Sequence, residues 1–116
     1  MLRRDGLPGR GPGPARHAWH DIDEAALEAA RDADRLLASA QAHGVRRWAD
    51  YFAPLPDRLR DDDVRDQRAT AMRARAAYGT RESVRESLPP EVTEPLVASI
   101  DRLLKVIARR EAAGGL

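Results

Sequence analysis

The sequence predicts an all-α protein: a small bundle of three to four main helices with a short helical turn and a flexible N-terminal tail. Three observations favour this class. Val, Ile and Thr together make up only 12 of the 116 residues, too few to furnish a β-sheet easily. Apolar residues recur at spacings of three and four along several segments of the chain. Outside the two ends, glycine occurs only at Gly44 and Gly79, both at predicted helix ends.

The composition indicates one domain flanked by two tails. A chain of 116 residues has the length of a single domain. Residues 1–15 contain four of the eight glycines and three of the eight prolines, so we predict a disordered tail there. Residues 16–113 are predicted to form a single helical domain, and residues 114–116 a second tail. Leu, Ile, Val and Phe total only 22 residues, so we expect a thin core.

The first helix is predicted over residues 21–43. Asp21 can cap its N-terminus, and Glu24 stands three residues further on, as in a capping box. Gly44 is expected to end the helix, because glycine adopts the left-handed conformation most easily. One apolar stripe recurs at steps of three and four residues and should face the core: Ile22, Ala26, Ala29, Ala33, Leu36, Leu37 and Ala40.

Three of the five aromatic residues fall on one face of a second, short helix predicted over 45–52. Trp48, Tyr51 and Phe52 are spaced at i, i+3 and i+4. Because the chain has few large apolar residues, we expect Trp48 and Phe52 to fill the core, whereas Tyr51 reaches the surface with its hydroxyl. Prolines end this helix, and the apolar surface is expected to continue through a turn over 55–59.

A third helix is predicted over 62–78, with Asp61, Asp62 and Asp63 supplying negative charge at its positive end. The helix dipole explains these carboxylates without a bound cation, since calcium loops space their oxygen ligands around a glycine. The apolar stripe of this helix is weak and consists of Val64, Ala71 and Tyr78, with Met72 close to it.

A short turn is predicted over 81–88. Thr80 can cap it, and Val84 and Leu88 should face inward. Prolines at 89 and 90 then break the chain at the point where a DNA-recognition helix would have to continue. The segment is therefore a poor helix–turn–helix.

The last helix is predicted over 93–113 and should be the centre of the core. Pro95 is expected in its first turn, where proline is tolerated. The helix carries the clearest apolar pattern of the chain: Val92, Leu96, Val97, Ile100, Leu103, Leu104 and Ile107.

Charge is segregated along the chain, although the net charge is only +1. Residues 21–64 hold eleven acids against six arginines, and residues 65–85 hold six arginines against two acids. The basic segment can bind phosphates, pair with the acidic half of the same fold, or pair with that of a second copy. The candidate interaction residues are Tyr51, Arg68, Arg73, Arg75, Arg81 and Arg85. Arginine outnumbers lysine 19 to 1, as in GC-rich bacterial genomes, so arginine abundance alone weighs little as evidence for phosphate binding.

The sequence predicts no catalytic, cofactor or metal site, and we expect no enzyme. It has no cysteine, no Gly-rich phosphate loop, no nucleophile elbow and no His-Glu-x-x-His motif. Four residues near the start of the first helix would share one face if that helix began early: His17, His20, Asp21 and Glu24. Their spacing matches no recognised zinc site, and the third histidine lies at the far end of the helix. We expect the first histidines to cap the helix or to be solvated.

Residues 42–52, with the sequence AHGVRRWADYF, resemble an uncharacterised bacterial family of all-helical domains. His43, Gly44 and Trp48 match its His-Gly-x3-Trp motif, which joins a leading helix to a Trp-containing helix. Residues 78–84, with the sequence YGTRESV, resemble a second, glycine-containing motif of that family. The resemblance covers about residues 30–88 and implies a small helical protein without implying an activity.

By elimination, the sequence favours a protein–protein interaction module, comparable to small immunity, antitoxin or adaptor proteins. The lack of site chemistry, the thin core and the segregated charge all point this way. The alternative is a nucleic-acid-binding protein that uses the arginines of residues 65–85. The last helix is also a candidate homodimer interface, an idea that weakens if Leu103 and Leu104 both face inward.

No membrane partner is expected. The sequence has no apolar run approaching the roughly 18 residues needed to span a bilayer. A cysteine-free chain fits a reducing compartment, so we expect a location in the bacterial cytoplasm.

Overall fold

A computed structural model describes residues 19–61, 63–79 and 81–114, and over these ranges the protein is all-helical, as predicted. Its elements are α1 (His20–Ala42), α2 (Arg46–Phe52), α3 (Leu55–Leu59), α4 (Val64–Ala76), a 3-10 turn (Val84–Glu86) and α5 (Pro90–Ala112). No strand occurs in these three ranges. The predictions made for the 1–15 tail, His17, Asp62, Thr80 and residues 115–116 lie outside the described residues.

Helices α1 and α5 form the centre of the bundle, share its largest interface and run antiparallel. Asp21 at the start of α1 binds Arg110 near the end of α5. The stripe predicted for α1 is confirmed as its buried face, except that Leu37 is only half-buried. The buried residues of α1 are mostly small, and those of α5 mostly large: Ile22, Ala25, Ala26, Ala29, Ala30, Ala33, Leu36 and Ala40 against Thr93, Leu96, Val97, Ser99, Ile100, Leu103, Val106 and Ile107. Small side chains let the two helices lie close together.

The apolar stripe of α5 is largely used within one copy of the chain. Leu103 is fully buried, and Leu104 is half-buried against the same core. A homodimer through this helix would need these two leucines at its surface, but both pack against the core of a single copy. This weakens the homodimer prediction.

The aromatic residues of α2 close one side of the core. Trp48 and Phe52 are buried, as predicted, with ring centroids 6.0 Å apart. Tyr51 is half-buried and meets the Trp48 ring edge-on at 5.4 Å. Gly44 separates α1 from α2 with a φ of +68°, which confirms the predicted left-handed stop.

The segment predicted as a turn over 55–59 is the short helix α3. Pro54 is its N-cap and Pro56 lies in its first turn, where a proline needs no hydrogen-bond partner for its nitrogen. The prolines therefore start a helix here as well as ending α2. Leu55 and Leu59 are buried and continue the apolar surface, as predicted.

Asp63 caps the N-terminus of α4. Its Oδ1 accepts hydrogen bonds from the backbone N–H groups of Arg65 at 2.8 Å and Asp66 at 3.5 Å. The explanation of this aspartate by the helix terminus is thus confirmed. Met72 was expected close to the apolar stripe but is 58% exposed, because it lies on the side of α4 that faces away from the core.

The N-terminus of α1 differs from the predicted capping. The N-cap of α1 is Trp19, without a side-chain cap, so the capping box predicted at Asp21 is wrong. The helix starts earlier and places Asp21 inside the first turn, where it binds Arg110. A capping box does occur at the 3-10 turn, between Ser83 and Glu86.

Helix α5 begins at Pro90, three residues before the predicted start. Proline at the first helical position has its φ already set for a helix, so the proline pair ends the preceding loop and also begins α5. Pro95 consequently lies inside the helix and not in its first turn. Among the described residues, no helix combines the length and the apolarity needed to cross a membrane.

Candidate interaction surface

Three of the arginines predicted as interaction residues are bound to α5. Arg68 pairs with Glu111, Arg75 with Asp101 at 3.0 Å, and Arg85 with Glu94 through two bonds of 2.9 and 3.1 Å. These three arginines of the basic segment therefore pair within the fold, but with carboxylates of the last helix and not with the acidic half at residues 21–64. Helix α4 packs beside α5, which brings Arg68 and Arg75 to their partners.

The acidic half pairs with arginines of α5 and of its own segment. On α1, Asp21 binds Arg110 and Glu28 binds Arg102, and Asp34 binds Arg60 at 2.7 Å. These ion pairs are partly exposed, so each adds little to stability. The charge asymmetry of the sequence is thus matched in part inside one copy of the chain.

Tyr78 is the buried centre of a polar cluster that the sequence did not indicate. Its hydroxyl donates to the carbonyl oxygen of Thr93 at 2.7 Å. The guanidinium groups of Arg85 and Arg75 lie 5.0 and 5.9 Å from the ring centroid. Burial raises the pKa of Tyr78 well above its ordinary value, and the negative charge of Glu94 raises it further.

Raising the pH above about 10 should destabilise the protein through Tyr78. Below that pH the phenol is protonated in both the folded and the unfolded chain and adds no pH dependence. Above it, the unfolded chain loses the proton first, so the free energy of unfolding falls by up to about 1.4 kcal/mol per pH unit. In Tyr51→Phe, which leaves Tyr78 as the one tyrosine, tyrosinate absorbance should rise only together with unfolding seen by circular dichroism.

Tyr78→Phe is the matched control, since it lacks the ionisable proton and should lose this alkaline decline in stability. Tyrosinate absorbance that rises in Tyr51→Phe while the helical signal is intact would show a hydroxyl open to solvent. That result would contradict the burial of Tyr78.

Tyr51 and Arg73, both predicted interaction residues, hold each other in place. The Tyr51 hydroxyl reaches the surface, as expected, and there donates to the carbonyl oxygen of Arg73 at 2.6 Å. In return, the Arg73 guanidinium donates to the carbonyl oxygen of Tyr51 at 3.1 Å and lies 4.2 Å from its ring centroid. This reciprocal contact joins α2 to the last turn of α4.

A groove of about 140 Å³ opens beside this contact, between the α2–α3 segment and α4. Its lining is mostly apolar, and it contains no acidic residue: Tyr51, Phe52, Pro54, Leu55, Arg58, Ala69, Thr70, Arg73 and Ala74. Arg58 and Arg73 are exposed and bring two positive charges to it. We call this the α4 groove.

An apolar strip runs along the outward side of α4 next to the groove. Ala69, Met72 and Ala76 are exposed and follow one another at steps of three and four residues. Met72 and Leu27 are the two exposed large hydrophobic residues of the described chain, and Leu27 lies on a different helix, α1. We call Ala69, Met72 and Ala76 the α4 strip.

The sequence found part of this surface. Tyr51 and Arg73 lie at the groove, whereas Arg81 is exposed in the loop before the 3-10 turn and has no ion-pair partner among the described residues. Sequence reasoning missed Arg58 and Thr70, which line the groove. Arg58 lies in the segment that was predicted to be a turn but is the helix α3. Predicting a helix there would have indicated that Arg58 lies on the same side of the protein as the groove.

The residues weighed as metal ligands have ion-pair neighbours in the described chain. His20 lies 3.7 Å from Glu24, and Asp21 turns to Arg110. No group of three or more potential ligands occurs together in residues 19–61, 63–79 and 81–114.

The motif that carried the family resemblance has a structural explanation in this chain. His43 is the C-cap of α1, and its ring nitrogen Nδ1 lies 2.8 Å from the carbonyl oxygen of Ser39. Gly44 supplies the left-handed turn, and Trp48 fills the core. Comparisons with protein-family models, with curated proteins and with solved structures give no match to this chain, and the family resemblance stays a prediction.

Proposed function

We propose that this chain is a non-catalytic protein–protein interaction module of the bacterial cytoplasm. Its α4 strip and α4 groove bind an acidic, amphipathic helix of another protein, in the manner of small immunity, antitoxin or adaptor proteins. The observation that carries this proposal is Met72, a large apolar side chain that is 58% exposed on α4, the helix that also lines a groove with two arginines.

The chemistry of the α4 strip suits a protein partner. Methionine is flexible and polarisable, so it adapts to different apolar surfaces. Arginine and methionine are both enriched in protein interfaces, and a helix laid along a groove uses anchors at steps of three and four residues. Ala69 and Ala76 leave room for such a helix to approach on both sides of Met72.

The internal ion pairs favour a protein partner over nucleic acid. Arg68, Arg75 and Arg85 already bind carboxylates on α5, so a phosphate backbone would have to compete with those carboxylates. Net charge is only +1, whereas nucleic-acid binding draws most of its affinity from phosphate neutralisation. Nucleic acid remains an outcome of the test below.

The test is affinity capture of partners from the host with three forms of the full chain, at low and at moderate salt. The forms are the natural protein, Met72→Glu and the matched control Leu27→Glu, which makes the same change at an exposed site on α1. Circular dichroism establishes that all three are folded. We expect one stoichiometric protein that persists at moderate salt, binds the control and is lost with Met72→Glu.

Two results would overturn the proposal. A protein partner retained equally by Met72→Glu and the natural chain would place the interface elsewhere. Capture of nucleic acid that is released between the two salt concentrations would favour the alternative function, because such binding depends steeply on salt.

A further inference from the structure

The α4 groove has the size and lining of a pocket for one apolar side chain. Its volume of about 140 Å³ is close to that of the roughly 150 Å³ protein cavity known to hold a benzene-sized group. Phe52 and Leu55 are buried and form apolar walls, and Pro54 and Ala69 extend them toward solvent. An aliphatic or aromatic side chain would replace water along this surface.

The positive charge of Arg58 and Arg73 at the groove favours an acidic group next to the partner's apolar side chain. Arg58 has no ion-pair partner among the described residues, and the lining contains no acid to neutralise Arg73. Arg73 uses one guanidinium N–H on the Tyr51 carbonyl, which leaves further donors on a side chain held in place by stacking. Two uncompensated guanidinium groups beside an apolar pocket are complementary to a carboxylate.

We infer that the groove recognises a short motif in the partner: an apolar residue that enters the groove, with Asp or Glu three or four positions away along a helix. The carboxylate of that residue lies between Arg58 and Arg73. The inference rests on the proposed function. It specifies the residues of the partner helix that the α4 groove binds. Residues three and four apart share one side of a helix, so both groups can reach the groove together.

The experiment uses a display library of random linear peptides, selected on the full-length chain. In parallel, the library is selected on Arg58→Glu and on the control Arg81→Glu, which reverses an exposed arginine outside the groove lining. We expect the natural chain and the control to enrich peptides with the apolar–acidic motif. Arg58→Glu should enrich Lys or Arg in place of the acid.

Synthetic versions of the enriched peptides then give the size of the effect. Replacing the peptide's Asp or Glu by its amide should weaken binding to the natural chain about tenfold or more, because a hydrogen-bonded ion pair is lost. The same replacement should change binding to Arg58→Glu much less. Fluorescence anisotropy of labelled peptides measures both.

The outcomes separate this inference from the proposed function. Peptides that bind the natural chain, fail on Met72→Glu and yet lack an acidic residue would overturn the motif while supporting the α4 strip as an interface. If peptides selected on Arg58→Glu still prefer an acidic residue, the motif is likewise overturned, while the α4 strip stays supported as an interface. Enriched peptides that bind Met72→Glu as tightly as the natural chain would remove the α4 strip from the interface, and if those peptides also lack the acidic residue, both proposals are overturned.

Discussion

Replacing Phe52 by alanine should lower the free energy of unfolding by about 3–5 kcal/mol. Phe52 is 1% exposed and touches the rings of both Trp48 and Tyr51. Helix α2 has only seven residues, and Trp48 and Phe52 are its two buried side chains. Removing the Phe52 ring therefore deletes one of the two side chains that pack this helix against the core. Since small domains unfold at about 5–15 kcal/mol, the variant should be close to its stability limit. Urea unfolding followed by circular dichroism measures the change.

Arg46→Ala is the matched control, because Arg46 is exposed at the start of the same helix. It should stay within about 0.5 kcal/mol of the natural protein. A loss of less than about 1 kcal/mol for Phe52→Ala would contradict the enclosure of this ring in the core.

Enlarging Ala29 to leucine should destabilise the protein by about 1–3 kcal/mol, even though the change adds apolar surface. Ala29 is fully buried on the core-facing side of α1, where the neighbouring residues of α1 are also small. A leucine there has to displace the packed neighbours or adopt an unfavourable rotamer. Helix propensity does not explain a loss, since leucine is nearly as good a helix former as alanine.

Ala38→Leu makes the same substitution at an exposed position of α1 and should be nearly neutral. Thermal unfolding of the two variants side by side gives the comparison. Equal melting temperatures would contradict tight packing of the core around Ala29.

The sequence predicted the parts of the fold that depend on local pattern. Ile22, Ala29 and Leu36 follow the helical period of α1, and all three are buried. Gly44 ends a helix because the turn requires a positive φ, which glycine adopts without strain. The fold class and the approximate bounds of the long helices were therefore readable without a structure.

The parts that depend on the packing of one helix against another could not be predicted. Arg75 lies 26 residues from Asp101 in the chain, and nothing in the local sequence identifies one as the partner of the other. Gln67 is buried, and its amide donates to the carbonyl oxygen of Leu59, an unusual place for a polar side chain. Met72 was assigned to the wrong side because the stripe of α4 is too weak to fix its orientation.

The candidate surface was found only in part for the same reason. Tyr51 and Arg73 are 22 residues apart and were proposed separately, from the aromatic spacing and from the basic segment. Their contact needs α2 and α4 to be side by side. The groove between them is a property of the assembled bundle, not of either helix.

The reciprocal contact between Tyr51 and Arg73 has a consequence for the entropy of binding. A free arginine side chain loses about 2 kcal/mol of rotamer entropy when it is fixed by a partner. Arg73 has already lost much of this freedom during folding, because it is stacked on the Tyr51 ring and bonded to the Tyr51 carbonyl. A carboxylate that docks against Arg73 thus meets a cation already in position, whereas docking against Arg58 has to order that side chain during binding.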